Sequence, residues 1–452
     1  MVEGQIQQAL KTATDTQDVA LGEDAISAVG GVFQRSFGDR QATIVADGTT
    51  WELAGEGVQR SLADAGCTLV DPYIYPGRPT LYAKYENVPP LVEALREHDA
   101  IPVAVGSGTL NDLVKRATFE CDRPYMIVGT AASMDGYTAF GASLAKEGLK
   151  QTITCPAPRA MVADLGVLVS APPNMTASGY GDLLGKVTAG ADWIIADALE
   201  VEKIDPDVWS RVQDPLRNSI GRPAELQSGD RQAMEALIEG LIMSGLAMQA
   251  AQSSRPASGA EHQFSHLWEM EGLGRDQDPP LSHGFKVGVG SVAIAALYER
   301  ILQRDLSTLD ISALCAAWPS RESEEQSVRA VHTIRGLEDA SVDQTLAKYV
   351  TADELAKQLE LLQQRWPELR EKLTGQLLSA GVLADMLRAA GCPTHPSHIG
   401  LSLDDFKATY SRSRTIRSRY TALDLAYQTG ILDECVEELF APGGHWADEQ
   451  RR

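Results

Sequence analysis

Apolar and polar positions follow two different rhythms along this chain. In the first third, short apolar runs stand between stretches of helical spacing. Ala42-Thr-Ile-Val-Ala46 is β-branched, apolar and closed by Asp47-Gly48, the pattern of a buried strand. Leu53, Val58, Leu62 and Ala65 recur at roughly helical intervals. Residues 67–75 read as extended and 88–98 as a helix. Ile101-Pro-Val-Ala-Val105 is a strand that runs straight into Gly106-Ser107-Gly108, and a helix follows with Leu113, Val114 and Ala117 inward. Pro124 to Val128 and Ala160 to Ala163 are the last strands, while residues 1 to about 40 read as a helical lead-in and a turn region. Strands alternating with helices predict a parallel α/β sheet.

Beyond Asp164 that rhythm stops. Long helical patterns cover 182–200, 230–252, 285–304, 352–365 and 370–391. Pro172-Pro173-Asn174 with Gly179 and Gly181 reads as a junction. It divides the 452 residues into an α/β domain over 1–177 and an all-α domain over 178–452. Pro442 to Arg452 reads as a loosely held tail.

Composition adds mostly exclusions. Apolar residues are 44% and charged residues 23%, ordinary for a globular protein. No run approaches the roughly 20 apolar residues of a membrane span, and the N-terminus lacks the basic-then-apolar pattern of a signal peptide. A formal charge of -22 speaks against nucleic acid and anionic membranes as partners. It also means that a phosphorylated substrate would need a local basic pocket. The six cysteines are scattered without a C-x-x-C pair, so a reducing cytoplasm is expected.

Candidate chemistry gathers in three places. His262 and His266 are four residues apart, on one face of a helix, and His283 follows in Leu-Ser-His-Gly-Phe-Lys. Asp182 reads as opening a helix after two glycines, where the positive helix end would hold it ionised. One carboxylate with two or three imidazoles suits an open divalent-metal site, although histidines on an apolar helix also serve as core or surface residues. Gly106-Ser107-Gly108 either admits a phosphate to backbone N–H groups at a helix start or makes a tight βα turn. Thr130 to Tyr137 either offers hydroxyls and a carboxylate to a ligand at a strand end or forms a polar loop with an Asx turn. His395 and His398, set among prolines, read as a solvated or capping loop.

In order, GSGTLND, TAASMDGY, ASGYGDLLGK, RPASGAEHQFSHLWEM and LSHGFKVGVG resemble the sn-glycerol-1-phosphate dehydrogenase family. That family is related to glycerol dehydrogenase, 3-dehydroquinate synthase and the iron-dependent alcohol dehydrogenases. The resemblance runs from about residue 40 to 295. It implies a dehydroquinate synthase-like fold, a Rossmann-like α/β domain followed by an all-α domain. It implies NAD or NADP and one divalent ion (zinc, nickel or iron) held by Asp182, His262 and His283. Asp135, Asp182 and His266 would meet substrate and carry catalysis. Asp47, Gly106, Ser107, Gly108, Thr109, Leu110, Asp112, Thr130, Ala131, Ala132 and Ser133 would hold the cofactor.

Two positions depart from the family pattern. Ala139 stands where a cofactor-binding serine is usual. Gly106-Ser107-Gly108 replaces three glycines, which is tolerable if the serine φ is negative. The implied reaction interconverts dihydroxyacetone phosphate and sn-glycerol 1-phosphate. The alternatives are another polyol or alcohol dehydrogenase, or a carbocycle-forming lyase, whose branch has glutamate in place of Asp182. Lys186, Arg255 and Lys286 are the cations considered for a phosphate. A homodimer or larger homo-oligomer is expected.

Overall fold

The computed structural model describes residues 2–146, 149–334 and 336–447. Its strands are β1 (Asp18–Gly22), β2 (Ala42–Asp47), β3 (Leu69–Tyr75), β4 (Ile101–Gly106), β5 (Met126–Gly129), β6 (Ala142–Lys146), β7 (Leu149–Ile153) and β8 (Ala160–Asp164). Six of them form one sheet in the order β1-β8-β5-β4-β2-β3, with every neighbouring pair parallel. Strands β4, β5 and β8 are buried at every residue because helices cover both sheet faces, which is why they read as unbroken apolar runs.

Strand β1 and the antiparallel hairpin β6–β7 were not expected. In β1, an edge strand paired only with β8, Val19 alone is fully buried, so it carries little apolar signal. The hairpin sequences Ala-Ser-Leu-Ala-Lys and Leu-Lys-Gln-Thr-Ile hold no apolar run.

The chain passes from β2 to β3 on one side, then returns to place β4 on the other side of β2. The loops after β2 and β4 therefore diverge, and such a switch point leaves a crevice at the carboxyl ends of the strands.

From Leu165 onward the described residues form helices and turns only. The expected turn at Gly179 and Gly181 is instead the interior of helix Pro173–Leu184, whose prolines suit its first turn. Asp182 thus lies in the last turn of this helix rather than the first, and the helix-start argument for its charge fails. Helices Lys186–Ala198, Arg231–Ala251, Ala260–Met270 and His283–Leu302 follow. Helix Ala352–Gln376 continues through Pro367, past the break the pattern suggested.

The tail also differs from expectation. Trp446 is buried, and its Nε1 donates to the Tyr410 hydroxyl at 3.0 Å; residues 448–452 lie outside the described residues. His395 caps a short helical turn by accepting from Ser397 N, as expected of a capping loop, but it is buried rather than solvated. No helix among the described residues is long and apolar enough to cross a membrane.

Candidate active site

Every strand-end residue singled out from the sequence lies at the carboxyl edge of the sheet. Ser107 has φ -91°, so a side chain costs no strain there, and helix Gly108–Glu120 starts at the next residue. A Cβ at Gly106 would overlap the Leu110 side chain, which is itself core, so Leu110 has only its backbone to offer a ligand. Thr130 N donates to Gly106 O at 3.1 Å, which joins the loops after β4 and β5. Ala131 and Ala132 are buried, Thr109 and Ser133 half-buried. Lys115 is buried and donates to the carbonyls of Gly136, Ala139 and Gly141, at 3.0, 2.7 and 3.0 Å. That lysine fixes the Asp135 loop onto the helix.

Two carboxylates and a methyl group of the expected cofactor site have local partners of their own. Asp47 caps the turn after β2, accepting from Thr49 N and Thr50 N. Asp112 accepts from Ser143 N at the start of β6, 3.2 Å away. The Ala139 methyl belongs to a small apolar cluster with Met248 and Ala257.

Bare backbone brings the sheet loops to the helices. A Cβ at Gly179 would overlap Ala132 O, one at Gly181 would overlap Gly284 O, and one at Gly284 would overlap Ser178 O. Ser178 Oγ also donates to Ser133 O at 3.1 Å. The glycines of Gly-Tyr-Gly-Asp and Ser-His-Gly-Phe therefore form a seam across which side chains would not fit. This seam sets Asp182, His262 and His283 together, each with a ligand atom within 4.8 Å of the others.

Asp182 is completely buried. Its Oδ1 meets Lys186 Nζ at 2.7 Å and lies 3.5 Å from His262 Nε2, and its Oδ2 accepts from Asp135 N at 3.0 Å. Burial pushes this carboxyl up, but Lys186 and the two histidines override it and hold it well below the usual range. These neighbours, not a helix terminus, keep it charged. Lys186 bridges to Asp135 Oδ2 at 2.8 Å, which also accepts from Ser244 Oγ at 2.9 Å.

Both ligand-type histidines are backed by carboxylates from the same helix. His262 Nδ1 meets Glu261 Oε1 at 2.7 Å, and His283 Nδ1 meets Glu269 Oε1 at 3.0 Å. Glu261 is fully buried and is fixed by Gly259 N and Thr188 Oγ1. Such partners hold Nδ1 protonated and leave each Nε2 lone pair for an ion. The donor set of one carboxylate and two oriented imidazoles fits a divalent metal.

His266 lies one turn on, with its ring 5.9 Å from that of His262 and 5.8 Å from that of His283. Burial, then the charge of Arg417, hold its imidazole well below the usual pKa, so it is neutral at pH 7. His266, Glu269 and His283 form a second, overlapping group of ligand-type atoms.

Sequence reasoning gave Glu261, Glu269, Lys115 and Ser244 no role. The only available signal was helical spacing, with Glu269 one turn beyond Ser265 and three residues after His266. The three cations considered for a phosphate are all employed otherwise. Lys186 sits between two aspartates, Arg255 donates to Tyr420 O and Asp192 O, and Lys286 donates to Leu281 O.

Comparison with known proteins bears on this site. The profile of iron-containing alcohol dehydrogenases matches residues 20–172. A glycerol-1-phosphate dehydrogenase [NAD(P)+] of Bacillus subtilis is 31% identical over 419 residues, 92% of each chain. That of Halalkalibacterium halodurans is 36% identical over 299 residues, 65% of this chain and 73% of its own. Among solved structures, an iron-containing alcohol dehydrogenase from Thermococcus thioreducens has a TM-score of 0.58 at 14% identity, covering 94% of this chain and 99% of its own. A probable glycerol dehydrogenase from Sinorhizobium meliloti has a TM-score of 0.59 at 14% identity, covering 93% and 98%. These last two likenesses concern the fold, a parallel sheet followed by a large helical part. The chain belongs to the glycerol-1-phosphate dehydrogenase family, within the iron-containing alcohol dehydrogenases.

Proposed function

We propose that this protein interconverts dihydroxyacetone phosphate and sn-glycerol 1-phosphate with NADH or NADPH. The observation that carries the reading is the convergence of Asp182, His262 and His283 beside Asp135 and His266, at the sheet end where the glycine loop opens. Glycerol-1-phosphate dehydrogenases that use NAD(P)+ are the relatives of this chain, which supports the substrate. The working protein is a cytoplasmic homodimer or larger homo-oligomer.

When bound, the divalent metal (zinc, nickel or iron) supplies a Lewis acid for the substrate carbonyl, and the reduced nicotinamide supplies the hydride. The chain's residues do the rest. Asp182, His262 and His283 hold the ion. Backbone N–H groups from Gly106 to Leu110, at a helix start, receive the cofactor pyrophosphate, and Thr130 to Ser133 line its path. Asp135, held by Lys186 and Ser244, accepts a substrate hydroxyl. His266, held neutral, would orient the substrate or relay a proton from water to the nascent hydroxyl, taking one proton at one ring nitrogen as it passes another on, so that no imidazolate forms. Ketone, hydride and proton together give the secondary alcohol.

The test is absorbance of NADH and NADPH with protein loaded with each metal in turn. Turnover of dihydroxyacetone phosphate well above that of dihydroxyacetone is expected. Preference for the unphosphorylated triose would replace this reading with a plain polyol dehydrogenase. A reaction with no net change in nicotinamide would point to the lyase branch.

A further inference from the structure

A substrate phosphate must find positive charge in a chain of net charge -22. The cations near the triad are spent, as described above. Among the described residues, a further group of cations lies in a stretch for which the family resemblance offered no motif. Residues 414–420 lie along helix Ala260–Met270: Ile416 packs on Leu267, and Gln263 Nε2 donates to Arg419 O at 3.3 Å. Two arginines of this stretch approach the loop that leads into the helix. Arg419 donates to Ser258 O at 2.5 Å and to Ser254 Oγ at 2.8 Å. Arg417 reaches Ser254 Oγ only weakly, at 3.4 Å. Arg255 lies under them, fully buried.

Carboxylates act on this cluster from a distance, Glu269 on Arg417, and Glu202 and Glu261 on Arg419. Among the described residues, Arg255 pairs with Glu202 at 3.3 Å, while neither Arg417 nor Arg419 has a carboxylate within ion-pair distance. Charge crowding is visible at Arg419, where burial and then Arg417 and Arg255 pull the guanidinium down to about 9. The Ser258 hydroxyl beside them is buried without a hydrogen-bond partner. Unpaired arginines under partial burial and an idle hydroxyl form a site that lacks an anion. Ile416 packs on Leu267, the residue after His266, so this stretch runs beside the His266 turn of the helix.

We propose that Arg417, supported by Arg419, anchors the phosphoryl group of the substrate on the His266 side of the active site. The assignment rests on the reading that the substrate is a small polyol phosphate. Arg417 is a binding residue here and moves no proton. The long helical segment after residue 300 then has a catalytic reason to exist, since it delivers the cation that the sheet and the metal helices lack.

The test uses full-length, metal-loaded protein as wild type, Arg417→Ala, Arg417→Lys and Arg419→Ala. For Arg417→Ala, KM for dihydroxyacetone phosphate should rise about 100-fold, as for loss of a charge-assisted anchor, with kcat changed far less. The KM for dihydroxyacetone should move much less than that. Arg417→Lys should fall between wild type and alanine, because it keeps the charge and loses the fork. An unchanged KM for the phosphate ester overturns the proposal, and so does an equal rise for both trioses, which would mark a structural role. Calorimetric titration with inorganic phosphate gives a readout independent of turnover. Wild type should bind phosphate, and Arg417→Ala should bind at least about 10-fold more weakly. Wild type that reduces dihydroxyacetone phosphate yet shows no Arg417-dependent phosphate binding sinks the anchor and spares the function. Wild type that binds phosphate through Arg417 but does not reduce dihydroxyacetone phosphate sinks the function and spares the anion site. If Arg417→Ala fails to fold, Arg417→Lys and the titration still decide.

Discussion

The two walls of the site are made of different material. On the sheet side, Gly106 to Leu110 and Thr130 to Ser133 offer backbone groups, and their side chains are small or buried. On the helical side, Asp182, Lys186, Glu261, His262, Glu269 and His283 form a network of buried or half-buried charged and titratable groups. Backbone recognition tolerates substitution wherever φ and volume allow. A buried charge network does not, because removing one member strands its partner.

The largest expected break of this contrast is on the helical wall. His262→Ala or His283→Ala should abolish both activity and bound metal, measured by elemental analysis of the purified protein. His266→Ala should keep its metal and lose turnover only. Stoichiometric metal in both ligand variants would refute the assignment.

Next comes the seam. Gly284→Ala should destabilise the fold by about 3 kcal/mol or more, since its methyl would enter Ser178 O. Gly375→Ala, in a helix with open space around it, should gain a few tenths of a kcal/mol up to about 1. Equal denaturation midpoints for the two variants would show that the seam yields.

A smaller effect is expected one layer out. Glu261→Gln should weaken metal binding by about 10- to 100-fold without removing a ligand, measured by chelator competition. Affinity equal to wild type would mean that Glu261 does not orient His262. The smallest effect belongs to the sheet wall. Ser107→Gly should cost roughly 0.5–1 kcal/mol, through the added freedom of the unfolded chain, because Ser107 already sits at negative φ. A gain in stability would expose strain at this position.

The same difference explains what the sequence disclosed. Strands β2, β4, β5 and β8 were legible because burial on both faces demands apolar runs. The loops after them were legible because glycine and small residues punctuate strand ends. Edge strand β1 escaped, as one exposed face and a single partner leave no apolar run. On the helical wall, His262 and His266 could be paired by spacing, yet spacing could not separate the two roles proposed for them, ligand to an ion and contact to a substrate. Asp182 follows two glycines, a pattern that reads as a helix start but lies inside helix Pro173–Leu184. Those glycines make a close helix crossing, not a turn, and the charge of Asp182 is held by Lys186, one helical turn on. Arg417 is 151 positions from His266, so no local pattern could join them.

One apolar cluster runs from Ile6 through Val45 and Ile127 in the sheet half to Leu241, Trp366 and Trp446 in the helical half. The two halves therefore share one continuous apolar core. Cutting the chain near residue 177 would uncover the faces that Ala132 and Tyr137 share with Leu241 and Ile242, and each fragment would carry a sticky wound. A transplant of the cofactor loops onto another helical partner would have to carry the glycine seam and the greasy face behind it.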